Sequence, residues 1–135
     1  MTKTISQKIT FKNTTPKALY NLYMDAKLHT LVTGATAKID SKEGTKFQAY
    51  DGYITGKNLQ LIKDILIVQS WRADDWDDQD IDSTFIMKLE PKGNDVILKI
   101  THANVPEKHY DNLGKGWTKD YWELWKNYLA NKKAK

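Results

Sequence analysis

Residues 112–132, NLGKGWTKDYWELWKNYLANK, decide the fold. Leu113, Trp117, Tyr121, Leu124 and Tyr128 recur at steps of four, four, three and four, which is one face of a long helix. Trp122, Trp125 and Leu129 widen that stripe. A helix so apolar on one side needs a broad apolar surface to lie against, and the rest of the chain supplies one.

Between residues 35 and 103 the sequence reads as strands divided by turn signals. Ala37–Asp40 is a short strand, and Thr45–Tyr50 is a second one that ends at Asp51-Gly52, a hairpin signal. Tyr53–Ile62 follows, with a bulge or bend predicted at Gly56-Lys57-Asn58. Ile65–Arg72 is rich in β-branched residues, Ile81–Glu90 alternates, and Pro91–Asp95 turns the chain into Val96–His102. Before these, residues 4–12 alternate as a first strand. Thr15 is placed to cap a short helix that opens on Pro16, and a second short helix near residues 25–31 is closed by Gly34. The order predicts an α+β domain. A curved antiparallel sheet of about seven strands surrounds a long C-terminal helix, with two short helices after the first strand.

A chain of 135 residues suits a single domain, 1–135, expected to be a monomer. It has no cysteine, which excludes disulfides, thiolate metal sites and Cys nucleophiles and points to a reducing cytoplasmic setting. No run approaches the ~20 apolar residues of a membrane span, so membrane insertion is not expected. The first residues, Met1-Thr2-Lys3-Thr4-Ile5-Ser6, lack the apolar run of a secretory signal. The net charge is +4.

Several segments together carry a family resemblance: Gly52–Asn58, Ile67–Arg72, Ile100-Thr101-His102, and Gly116-Trp117 opening the last helix. The chain resembles the activators of heat-shock protein 90 ATPase, in particular that activator's C-terminal domain and its single-domain bacterial relatives. These belong to the START-like (SRPBCC) superfamily. The resemblance implies the helix-grip fold, with a cavity between sheet and helix, and it implies a chaperone as a partner.

The helix-grip reading gives the inward residues two meanings. One face of the predicted strands holds Ile65, Ile67, Gln69 and Trp71, a second holds Ile81, Ser83, Phe85, Met87 and Leu89, and a third holds Val96, Leu98, Ile100 and His102. An apolar face at this spacing is ordinarily core. Where such a core is underfilled, it is a chamber for a small apolar or amphipathic molecule oriented by a few polar groups. The candidate lining is Tyr53, Trp71, Phe85 and Met87 from the sheet, with Ile100, His102, Trp117 and Tyr121. The main functional expectation is therefore a non-enzymatic binding module. The alternative is a co-chaperone-like domain acting through its outer surface on a heat-shock protein 90 homologue.

Other chemistry is weakly represented. His29, His102 and His109 show no metal-ligand spacing, and no nucleophile elbow, Walker loop or dinucleotide glycine pattern occurs, so no catalytic residue, metal or cofactor is expected. Asp74, Asp75, Asp77, Asp78, Asp80 and Asp82 surround Trp76. Asp78-x-Asp80-x-Asp82 begins like a calcium loop, but Ser83 and Leu89 stand where glycine and glutamate are needed. The segment reads as a solvated loop, or as a docking surface with Trp76 as anchor and Asp77 and Asp78 as its polar rim. Those six aspartates divide the charge: without them the chain carries +10. Its cations are twenty Lys and only Arg72, a balance that argues against specific nucleic-acid binding.

Overall fold

Local chemistry sets the first elements of the computed structural model, which describes residues 1–133. The strand β1 (Thr2–Phe11) gives way to a turn in which Asn13 has φ +54°, and the Thr15 hydroxyl accepts from the Ala18 N–H at 3.1 Å to start α1 (Pro16–Met24). Asp25 closes that helix. Its carboxylate accepts from the N–H groups of Lys27 and Leu28 to open α2 (Ala26–Thr33), which Gly34 ends in the left-handed conformation.

The sheet then forms from β2 (Lys46–Ala49), β3 (Ile54–Ile62), β4 (Leu66–Ala73), β5 (Ser83–Lys92) and β6 (Asp95–Pro106). The order is β1-β6-β5-β4-β3-β2, antiparallel throughout. Neighbours in sequence are neighbours in space except for β1, which pairs with β6 and joins the two ends of the chain.

Six strands form where about seven were expected. Ala37–Asp40 contributes only an isolated bridge, Lys38 to Gln48, because Asp40 and the turn after it leave too few residues to pair. Two inward positions also fail. Ile65 sits in the β3–β4 turn and is 53% exposed, and Ile81 precedes β5 and is 61% exposed. Each is one or two residues outside its strand, where the pleat no longer directs it. The other inward residues named above are buried. The bulge falls one residue later than expected: the register slips between Asn58 and Gln60. Gly56 is needed for another reason. A Cβ there would overlap the Ser70 carbonyl and lie 2.6 Å from Phe47 Cε1, so sheet and core approach the backbone too closely for any side chain.

The closing helix is longer and less regular than its spacing implied. It runs as α3 (Tyr110–Trp117), one π-helical turn (Thr118–Trp122) and α4 (Glu123–Lys133). The π turn inserts one residue and moves the buried stripe. Trp117 and Tyr121 face the sheet, but thereafter Trp122 and Trp125 are the buried residues, while Leu124 and Tyr128 are only half-buried. Gln7 fastens this region to β1: its Nε2 donates to the Gly114 carbonyl at 2.9 Å, and its Oε1 accepts from Trp122 Nε1 at 2.8 Å.

Candidate functional site

The gripped interior is filled by side chains. Phe85 from β5 and Trp117 from α3 stack with ring centroids 4.4 Å apart and planes 10° apart. Trp71 packs beside Trp117 at 5.8 Å and edge-on against His102 at 4.8 Å. Phe85, Met87, Ile100 and His102 are each at most 2% exposed. With Trp71, Trp117 and Tyr121, seven of the eight residues expected to line a chamber are buried, and only Tyr53 is exposed.

His102 is the polar centre of this plug. Trp117 Nε1 donates to its Nδ1 at 3.1 Å, so Nδ1 carries no proton and Nε2 does. Nε2 then donates to Ser83 Oγ at 2.7 Å, and Ser83 donates to the Trp71 carbonyl at 2.6 Å. Burial pushes the imidazole pKa down to about 3, so the ring is neutral. This Ser–His pair is no nucleophile and base, because the histidine nitrogen facing the serine already holds its proton and the serine proton is committed to a carbonyl.

A second buried chain crosses the core from α1. Tyr23 Oη donates to Gln69 Oε1 at 2.9 Å, Gln69 Nε2 donates to Asn58 Oδ1 at 2.8 Å, and Asn58 Nδ2 donates to the Asp40 carbonyl at 2.8 Å. Beside it, His29 is held between the Tyr23 carbonyl at 2.8 Å and the Tyr121 hydroxyl at 2.9 Å. Burial lowers the His29 pKa and raises those of Tyr23 and Tyr121. Of these residues the sequence marked only Gln69 and Tyr121. The others have no sequence signal for these bonds, whose partners lie apart in the chain until the fold brings them together.

Outside the plug lies a cleft of about 430 Å³, between the last helix, the β2–β3 connection and the start of the acidic loop. Trp71, Trp117 and Tyr121 are among its walls, with Tyr50 and Tyr53 at the lip. Tyr53, Trp71, Trp117 and Tyr121 are thus the expected ligand residues that line this cleft; Tyr53 is 45% exposed, and the other three are at most 3% exposed. Tyr50 has φ +50°, an outlier for a bulky aromatic, and Asp51 follows at +59°. Two contacts with Thr36 hold that turn: Asp51 N–H to the Thr36 carbonyl at 3.0 Å, and Thr36 N–H to Asp51 Oδ1 at 2.7 Å. The Tyr50 hydroxyl donates to the Asp120 carbonyl, inside the π turn, at 2.6 Å. Tyr53 donates to Asp75 at 2.8 Å, and partial burial, with that bond, pushes its pKa up to about 12. Asp120, Asp75 and His109 also line the cleft, and none was picked out for it in the sequence. Asp120 is legible only as the residue before Tyr121.

The acidic loop is ordered by the chain's one arginine. Arg72 donates to the carbonyls of Asp80 and Asp77 and pairs with Asp82 at 2.8 Å. Lys108 pairs with Asp77 at 2.8 Å. Trp76, the anchor of the docking alternative, is buried in the domain. It is 6% exposed, folded back between Trp71 at 5.8 Å and His109 at 5.9 Å, because an indole left among carboxylates loses the burial it gains against two rings. Asp77 and Asp78 remain exposed. Among the described residues, no group of three or more His, Asp or Glu is arranged to hold a metal, and no helix is long and apolar enough to cross a membrane.

A six-stranded antiparallel sheet closed over an aromatic C-terminal helix defines a helix-grip α+β domain of the START-like class. The family model described as activator of Hsp90 ATPase homolog 1-like protein matches residues 13–130, and the chain belongs to that family. Human activator of 90 kDa heat shock protein ATPase homolog 1 is 27% identical over 119 residues, 86% of this chain, and the mouse homolog 2 is 26% identical over 117. The chain spans about a third of the length of these curated relatives, 35% in both cases. Among solved structures, an HSP90 activator from Plasmodium falciparum superposes with a TM-score of 0.83 at 30% identity, covering 93% of this chain and 96% of that one. CalU16 from Micromonospora echinospora superposes with a TM-score of 0.79 at 18% identity, covering 98% and 80%, a likeness of fold alone.

Proposed function

We propose that this domain is a cytosolic, co-chaperone-like module that docks on a heat-shock protein 90 homologue through its outer surface. The observation that carries the reading is the Phe85–Trp117 stack, which fills the grip where a ligand chamber would lie and leaves the exterior as the working surface. It is supported by the 30% identity, along nearly the whole length of both chains, to an HSP90 activator. The exposed carboxylates of the acidic loop, Asp77 and Asp78 among them, offer a docking surface for a basic patch on the partner. The test is the ATPase rate of the purified homologue from the same organism with equimolar domain added. A rise of about two-fold or more, with amide shifts confined to outer loops, is expected. An unchanged rate together with no amide shifts overturns the proposal.

A second reading, a ligand-binding module, is favoured by the cleft at the mouth of the grip. Its test is an amide and indole NMR titration against a lipid and metabolite panel, with shifts expected at Trp71, Trp117 and Tyr121. The absence of shifts there across the panel removes it.

A further inference from the structure

We propose that the cleft takes a small organic cation, a quaternary or protonated amine on an apolar body; this deepens the ligand-binding reading and rests on it. The walls are the first reason. Tyr50 and the exposed Tyr53 stand at the lip, where an aromatic ring can attract a cation, and the buried Trp71, Trp117 and Tyr121, each at most 3% exposed, form an apolar floor for its alkyl groups. The charge is the second. In a chain with twenty Lys and a net +4, no Lys or Arg lines this cleft, while Asp75 and Asp120 do. Lys108 pairs with Asp77 and Arg72 with Asp82, and among the described residues neither Asp75 nor Asp120 takes part in a salt bridge. An anionic ligand would meet two carboxylates with no lysine or arginine to answer it.

The backbone is the third reason. Tyr50 is held at φ +50° by its bond to the Asp120 carbonyl and by the Asp51–Thr36 pair, and Asp120 lies in the π turn. Strained residues persist where the surroundings over-determine them, and they gather at ligand clamps. Here strain and π turn meet across one opening. His109, in the same wall, has a buried Nε2 with no hydrogen-bond partner, which a hydroxyl carried by the ligand would satisfy. About 430 Å³ is the size of a small-molecule site.

The experiment titrates the intact chain with three molecules of one shape: choline, its neutral isostere dimethylbutanol and the anion dimethylbutyrate. The readout is the indole N–H signals of Trp71 and Trp117. Choline is expected to bind about ten-fold more tightly than dimethylbutanol, and dimethylbutyrate to leave both signals in place. The Asp75→Asn/Asp120→Asn double variant is expected to bring choline down to the affinity of dimethylbutanol, which itself is unchanged and so reports an intact cleft. Equal affinities for choline and dimethylbutanol overturn the cation proposal and leave an apolar ligand site standing. No indole shift with any of the three overturns it as well, and the lipid and metabolite panel then decides the broader reading on its own.

Discussion

The indole N–H of Trp117, on the last helix, donates to Nδ1 of His102, on β6, at 3.1 Å. That bond requires a neutral imidazole, since a proton on Nδ1 would face another N–H. In the unfolded chain the ring takes a proton near pH 6.5, and in the fold near pH 3, through burial. Between those values the unfolded state binds more protons. The stability that His102 contributes is therefore complete above about pH 6.5 and is lost as the pH falls toward 3. The slope approaches 1.4 kcal/mol per pH unit, roughly, in the middle of that window. His29, whose pKa burial also lowers, acts in the same direction. Urea unfolding at several pH values should show the midpoint falling with acid, and His102→Gln should flatten the profile. An identical slope in that variant contradicts the assignment.

Gly56→Ala separates lack of space from backbone conformation. The added Cβ would overlap the Ser70 carbonyl, a backbone atom between two paired strands that has nowhere to move, and press on the Phe47 ring. The expected loss is at least about 3 kcal/mol. Gly93→Ala is the comparison, because Gly93 has φ +60° and nothing within 4 Å of a new Cβ. It should cost only about 1 kcal/mol. Thermal unfolding of both variants orders them, and a Gly56 variant as stable as the Gly93 one refutes the steric account.

Gln7 is the clasp between the edge strand and the helix. Gln7→Ala leaves Trp122 Nε1 and the Gly114 carbonyl without their partner, at a cost of about 1–3 kcal/mol. Gln7→Glu keeps an acceptor for the indole and sets a carboxylate against the carbonyl, so it should fall between wild type and Ala. Denaturant midpoints read the order directly. An Ala variant matching wild type means that water replaces both bonds and the clasp adds nothing.

These positions mark where the sequence was informative. The α+β element order, the Thr15 cap, the Gly34 stop and, Ile65 and Ile81 apart, the inward faces of β4, β5 and β6 were legible, because periodicity and capping are local. The π turn was not. The spacing of Trp117, Tyr121, Leu124 and Tyr128 fits an uninterrupted helix, and only packing against β1 shows that one residue is inserted before Trp122. The cleft was half legible: its aromatic walls follow from the helix and strand patterns. Asp120, His109 and the strained Tyr50 face it only because the β2–β3 turn and the π turn meet in space. The orientation of Trp76 was not legible for a related reason, since charge density in a sequence says nothing about which way one ring folds.

Trp76 gives the sharpest contrast between burial and docking. It lies against Trp71 and His109, with the Arg72 guanidinium 5.8 Å from its ring, and it is 6% exposed. Trp76→Ala should therefore cost about 3–5 kcal/mol, as for a large core aromatic. Trp76→Phe keeps an aromatic ring there and should cost much less. The exposed Asp78→Lys should change stability by no more than about 0.5 kcal/mol. In the chaperone assay the ranking inverts: Trp76→Phe should stimulate ATPase as wild type does, while Asp78→Lys should lower stimulation, because the carboxylates and not the indole face outward. A folded Trp76→Phe variant that no longer stimulates the chaperone would mean that the indole leaves its pocket to meet the partner, and the burial seen here would then describe only the free domain.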